Sequence, residues 1–248
     1  MADFEVLPLL DAEGSFTTYE EAFPTLGRSG AWQLPFRAFL VRSTHVTALV
    51  DCGVGPPGPS WIPDRQGWLL EELARWKVAV ERIELVFLTH LHVDHVGWCG
   101  SFPNARYVAS RTDWEWFATR GERNLYDFHA TLEPLRAEGL VDLLDGDGEV
   151  APGLRAFATP GHTPGHMSVR AGDDALLIGD VCVLEEQLAD PGLVYESDAD
   201  GAEAAATRRE ALALAADDYL AVAASHLPGN GLGWVERAGE GFAWRPSN

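Results

Sequence analysis

Residues 87–98 read Phe-Leu-Thr-His-Leu-His-Val-Asp-His-Val-Gly-Trp and place His90, His92, Asp94 and His95 within six positions. In an extended chain alternate side chains share a face. His90 and His92 can therefore grip one cation, while a turn at Asp94 and His95 can point two further ligands at a second. Neutral imidazole and carboxylate suit zinc, iron or manganese without any thiolate. A histidine-rich surface loop or incidental core histidines would explain one lone His; four ligands at this spacing argue against both.

The elements that position this run can be read outward from it. Ile83 to Thr89 is apolar and β-branched, a buried strand that stops where the ligands begin. Three other places repeat that pattern. The strand Leu154–Ala158 runs into Thr-Pro-Gly-His-Thr-Pro-Gly-His, where His162 sits in a glycine-shaped turn as a ligand candidate. His166 follows as a hydrogen-bonded supporting or core residue at the start of the strand Met167–Arg170. Ala175–Ile178 ends in Gly179-Asp180, and Leu220–Ala224 exits into Ser225-His226-Leu227. The hairpin strands Phe36–Arg42 and Val46–Asp51 enclose an exposed His45, and Asp51 ends the second, where it can brace the metal loop or cap a turn.

The remaining chain reads as scaffold. Phe4–Leu10 is a first strand, and the stretch to Leu34 is an irregular loop or lid whose Phe16, Tyr19, Phe23 and Trp32 pin it to the body, with a pocket mouth as the rarer role. Trp68–Trp76 has helical periodicity, Arg106–Ala109 is a short strand, and Asp113–Ala118 is helical with Thr112 as N-cap. Thr119–Leu135 is ambiguous, with Tyr126, Phe128 and His129 either pocket wall or helix packing, the commoner fate. Asp-Gly-Asp-Gly near Leu143–Val150 is a turn, since it lacks the spacing of a calcium loop. Gly201–Asp217, with Arg208 and Arg209, is a surface helix, and Trp234–Arg237 with Phe242–Arg245 is a closing hairpin.

At 248 residues and 46% hydrophobic content the chain supports a full core, and no linker or repeat divides it, so residues 1–248 are expected to form a single domain. The formal charge of −20 repels phosphate backbones and anionic bilayers, which argues against nucleic acid or membrane partners and otherwise serves solubility. Cys52, Cys99 and Cys182 are odd in number and widely spaced, which fits reduced thiols rather than a disulfide framework. The N-terminus lacks a basic region followed by an apolar run, and no stretch approaches ~20 apolar residues. A soluble, cytoplasmic protein acting on a small molecule is expected, with a homodimer allowed for.

His90-x-His92-x-Asp94-His95, then His162, Asp180 and His226 in that order, resemble the metallo-β-lactamase superfamily along most of the chain. The resemblance implies an α/β (α+β) fold, the four-layer αβ/βα sandwich, with two metals, zinc by default and iron or manganese as alternatives, at one edge of its paired sheets. It assigns His90, His92 and His162 to the first metal, Asp94, His95 and His226 to the second, Asp180 to both, and Asp51 to a supporting role. Ala189–Val194, Glu196–Asp200, the Arg208-Arg209 helix, Ser225-His226-Leu227 and Gly231-Leu232-Gly233 look like the methyl parathion hydrolase-like branch, a neighbour of the N-acyl-homoserine lactone lactonases. Three residues beyond the bridging Asp those lactonases carry a Tyr and the organophosphate hydrolase a His; here the residue is Val183. This leaves the metal site intact and the substrate open.

The chemistry implied is attack by a metal-bridging hydroxide on an ester or lactone of a small, partly apolar substrate, with Asp94 as the catalytic group that relays a proton to the leaving group. A phosphotriester or thioester hydrolase is the nearest rival. A glyoxalase-type enzyme would add a basic C-terminal segment, and a persulfide-oxidising iron enzyme would not need the second ligand set. A catalytically silent metal-binding module is the alternative of another class; such proteins usually lose ligands, and none is missing.

Overall fold

The computed structural model describes residues 4–56, 67–119 and 128–247. Two sheets face each other. The first runs in the order β1 (Glu5–Gly14), β2 (Leu34–Arg42), β3 (Thr47–Val50), β4 (Leu85–Phe87), β5 (Arg106–Ser110) and β6 (Val141–Leu144). The second runs from the C-terminal hairpin inward: β13 (Gly241–Pro246), β12 (Leu232–Ala238), β11 (Ala221–Ala223), β10 (Ala175–Leu177), β9 (Met167–Ala171), β8 (Leu154–Ala158) and β7 (Gly148–Ala151). Pairing is parallel in β3–β4–β5–β6 and β10–β11 and antiparallel between the other neighbouring strands.

Hydrophobic faces dictate the layering. Phe39, Val50, Phe87 and Val108 from the first sheet meet Leu154, Met167, Val169 and Leu177 from the second in a buried seam. The first sheet's outer face is covered by α2 (Leu69–Arg75) and α4 (Arg111–Ala118); after the short helices α5 (Glu133–Ala137) and α6 (Glu186–Ala189), α7 (Gly201–Asp217) covers the second's. β4 and β10 are therefore covered on both faces, which is why they read as unbroken apolar runs. The result is the αβ/βα sandwich. The carboxyl ends of β3, β4, β10 and β11 lead to the edge that carries the histidines, where the chain must leave the sheets in loops.

Several local readings change. The stretch after β1 is not wholly irregular: β1 continues to Gly14 through a bulge at Asp11, and α1 (Tyr19–Ala22) follows, closed by a Thr18–Glu21 capping box. Its aromatics do pin it down, since Phe23 packs on both Trp32 and Tyr195 at ring-centre distances of 5.1 Å to each. The N-cap of α4 is Ser110, not Thr112, because β5 runs straight into the helix and leaves Thr112 inside it. Phe128 packs on Trp114 and Phe117; Tyr126 and the side chain of His129 lie outside the described residues. α7 has the expected bounds but is not merely a surface helix: Ala204, Arg208, Ala211, Leu212 and Ala215 form a buried stripe. No helix among the described residues is long and apolar enough to cross a membrane.

The histidine turn, α3 (Val93–Val96), ends at Gly97, whose backbone lies directly on the loop after β3. A Cβ there would fall 2.2 Å from the carbonyl carbon of Val54 and 2.3 Å from the nitrogen of Gly55. Backbone on both sides cannot yield as a flexible side chain would. Gly97→Ala is expected to cost about 1–3 kcal/mol, measured by thermal or urea unfolding, although alanine is the better helix former.

Candidate metal centre

The seven candidate ligands converge on the shared edge in two groups. His90, His92 and His162 form one; Asp94, His95, Asp180 and His226 form the other, with the ligand atoms of each within 4.8 Å of one another. Asp180 reaches both. Its Oδ1 stands 3.3 Å from Nε2 of His95 and of His226, and its Oδ2 3.4 Å from Nε2 of His162 and 3.8 Å from Nε2 of His90. Asp94 lies 3.4 Å from His226 and 3.5 Å from His95.

Hydrogen bonds behind the rings fix which nitrogen faces inward. His226 Nδ1 is 2.7 Å from the carbonyl of Pro35, which only accepts, so Nδ1 carries a proton. His95 Nδ1 donates to Asp51 at 2.8 Å and His162 Nδ1 to Asp198 at 3.0 Å. Thr89 spends its single hydroxyl proton on the Asp51 carboxylate, so its oxygen accepts from His90 Nδ1 at 3.1 Å. In four rings, then, Nε2 points at the centre, and His92 adds its Nδ1, 3.0 Å from Nε2 of His162. This is the arrangement by which proteins orient imidazoles toward a metal.

Charge follows the same division. Burial, joined by the neighbouring imidazoles, pushes His90 down and His92 to about 3, so both are neutral donors. Burial also opposes charge on His95 and His226, but the nearby carboxylates prevail, raising His95 well above its usual range and His226 to about 9. Asp94 and Asp180 stay ionised: the positive neighbours outweigh their burial. Their two negative charges call for compensation, which protons on the histidines or divalent cations can provide. Nε2 of His90, Nε2 of His95 and Oδ1 of Asp180 are buried without a hydrogen-bond partner. Orphaned donor atoms of this kind, gathered in nitrogen and oxygen sets, fit divalent metal ions.

The supporting residues divide into those read from sequence and those not. Asp51 braces the loop, accepting from Thr89 and His95 in a left-handed conformation (φ 64°). His166 is neutral: its Nε2 accepts from the Asp180 amide at 3.2 Å, its Nδ1 faces Thr159 Oγ1 at 2.9 Å, and burial, aided by His162, takes it to about 3. Asp113, Asp198, Arg208 and Arg37 also support the site, and the sequence assigns none of them that role. Asp113 binds Thr163 Oγ1 and the Gly165 amide, shaping the His162 turn. Arg37 donates to the carbonyls of Ser225, Leu227 and Gly229 and so holds the His226 loop. None of the four belongs to a spaced motif; Asp198 and Arg208 fall inside segments that carry the resemblance, but nothing in those segments assigns either a contact with the site.

Residues 37–226 match the family model described as the metallo-beta-lactamase superfamily. The chain belongs to the metallo-beta-lactamase superfamily. Among proteins similar to this superfamily member is N-acyl homoserine lactonase AiiA of Bacillus thuringiensis subsp. kurstaki, 36% identical over 95 residues, which is 38% of this chain and 35% of that protein. N-acyl homoserine lactonase AttM of Agrobacterium fabrum is 36% identical over 95 residues, 35% of each chain. These matches span about a third of the relatives' length. Among solved structures, AidC, a dizinc quorum-quenching lactonase in complex with a product, superposes with a TM-score of 0.83 at 21% identity over 100% of this chain and 96% of that one. The hydrolase AbOPH of the beta lactamase superfamily does so with 0.83 at 25% identity over 99% and 95%.

Proposed function

We propose that this superfamily member is a two-metal hydrolase that opens an ester or lactone bond in a small, partly apolar substrate. The observation that carries the reading is Asp180, whose two oxygens face two separate groups, one of nitrogen donors and one that adds the Asp94 carboxylate to two imidazoles. His90, His92 and His162 would hold one cation, Asp94, His95 and His226 the other, and Asp180 both. When bound, divalent cations make water acidic enough to attack near neutral pH and polarise the substrate carbonyl. The lactonase relatives and the dizinc lactonase neighbour support this choice of metal and bond, zinc being preferred over iron or manganese.

The chain's own groups then bind, orient and move protons. Asp94 is nearly buried and ionised beside His226, and its carboxylate is the group placed to accept a proton and return it to the leaving oxygen. A cavity of about 780 Å³ opens beside His226, with Trp32, Val183, Leu184, Leu188, Phe242 and Trp244 among its walls. Arg28, Gln33, Glu185 and Glu186 also line it, so the cavity offers an apolar substituent a partly apolar wall beside polar groups. Val183 contributes no proton, and its amide is tied to Gln187.

Elemental analysis of the purified chain is expected to give about two metals. Turnover of esters and lactones with apolar tails is expected to vanish on chelation and return with zinc. Thioesters and phosphotriesters belong in the same panel. Preference for either class would replace the ester reading, and two bound metals without turnover on any class would favour a silent binding module.

A further inference from the structure

Behind His162 lies a chain of buried charge that belongs to neither donor group. Arg208, on the inner stripe of α7, is 1% exposed and the bulkiest of the fully buried side chains. Its Nε donates to the carbonyl of Val181 at 2.7 Å, and its Nη1 to the carbonyls of Pro191 at 2.8 Å and Leu193 at 3.3 Å. Nη2 lies 3.5 Å from Oδ2 of Asp198, whose side chain is also 1% exposed. The other oxygen of Asp198 accepts from His162 Nδ1 at 3.0 Å. One guanidinium thus holds the residue after Asp180 and the carboxylate behind His162 at once.

The surroundings leave His162 no alternative pose. Tyr195 stacks on its ring with 5.9 Å between centres and 3° between planes. The amides of Ala199 and Asp200 bond to the carbonyls of His162 and Gly161. Gly161, at φ +126°, lies so close to α7 that a Cβ would sit 2.2 Å from the Ala204 nitrogen. A buried carboxylate is costly unless it acts on a partner. Here the partners are the Arg208 guanidinium and the one imidazole in the His90–His92–His162 group that comes from the second sheet's loops.

We infer that Asp198 and Arg208 are positioning residues for that group: Asp198 holds His162 with its proton on Nδ1 and its Nε2 lone pair toward His90 and His92, and Arg208 fixes Asp198. The inference rests on the two-metal reading above. Its consequence is selective. Asp198 touches none of His95, His226 or Asp94 through a hydrogen bond, so its loss acts on one metal and spares the other. A carboxylate donated to from behind raises the basicity of a ligating imidazole, and losing such a partner weakens metal binding about 10–100-fold.

The test uses the full chain, stripped of metal and titrated with Co(II) and Zn(II) against a chromophoric chelator, with the Co(II) absorption spectrum and thermal unfolding of the metal-free form recorded alongside. In Asp198→Ala one of two ions is expected to bind about 10–100-fold more weakly while the other stays within about threefold. The metal-free melting point should fall too little to account for that. Asp198→Asn keeps the shape and an accepting oxygen without the charge, and is expected to weaken the same ion about tenfold; it decides the matter alone if the alanine variant does not fold. Unchanged affinities, or equal weakening of both ions in step with lost thermal stability, overturn the positioning role. A wild-type chain that binds no metal overturns the two-metal reading instead, and the inference with it.

Discussion

Asp180→Asn is expected to reduce bound metal from about two per chain to one or none and to lower kcat/KM by a factor on the order of 10³ or more. Asparagine has nearly the same shape, so packing is retained while the charge that both donor groups share is removed. Oδ1 faces His95 and His226, and Oδ2 faces His162 and His90, so an amide presents N–H hydrogens to one of the two pairs. That pair then spends its inward lone pairs accepting the amide N–H groups and cannot hold a cation against a nitrogen that has no lone pair to offer. The Asp180 backbone, bonded to His166, and the apolar strand before it are untouched. Elemental analysis and steady-state kinetics measure the loss, and circular dichroism checks the fold. Two tightly held metals with wild-type turnover would remove Asp180 from the bridging role.

Asp11→Ala is expected to be strongly destabilising although Asp11 is not one of the candidate metal ligands. Asp11 is fully buried at the bulge in β1. Oδ1 accepts from the Leu69 amide at 2.7 Å and Trp98 Nε1 at 2.9 Å, and Oδ2 from the amides of Val54 at 2.6 Å and Gly55 at 3.2 Å. One carboxylate therefore joins the start of α2, the loop after β3 and the chain leaving α3. Alanine strands four buried donors, a loss of about 3–5 kcal/mol. Burial pushes the Asp11 carboxyl up to about 6 from 3.8, against the pull of those donors. Because the folded value lies above the unfolded one, protonation favours folding. This contribution is present in full below about pH 4 and lost as pH rises through 6, a swing on the order of 3 kcal/mol. Urea unfolding from pH 4 to 7 is expected to show a lower midpoint for Asp11→Ala throughout, with this part of the pH dependence absent. A midpoint equal to wild type at pH 7 would contradict the bracing role.

Both predictions concern acidic residues, yet they differ in how visible they were. Asp180 stands out because an unbroken apolar run stops at Gly-Asp, and charge at a buried strand's exit needs a reason. Asp11 has no such signal: it follows Leu-Pro-Leu-Leu within what reads as an ordinary strand end, and its donors come from three later segments. Arg208 is subtler still. In an alanine-rich helix with Arg208, Arg209 and Glu210, periodicity alone does not say which arginine turns inward. The stripe that buries Arg208 exists only because Gly161 and the small side chains of α7 let the helix approach the second sheet closely.

What the sequence determined by itself is the chemistry and its local delivery. Side-chain type decides which atoms can bind a cation, and strand periodicity with glycine and proline turns decides where the chain can release them. Both are short-range properties, and so His90, His92, Asp94, His95, His162, Asp180 and His226 could be picked out with the strands that carry them. Tertiary structure alone decided the partners behind those candidate ligands: the Pro35 carbonyl, 191 residues from His226, the Asp198 carboxylate, 36 from His162, and the guanidinium of Arg208 behind it. Such pairings carry no spacing rule. They arise because packing two sheets and α7 together removes water from polar groups that must then find whichever partner the fold brings near.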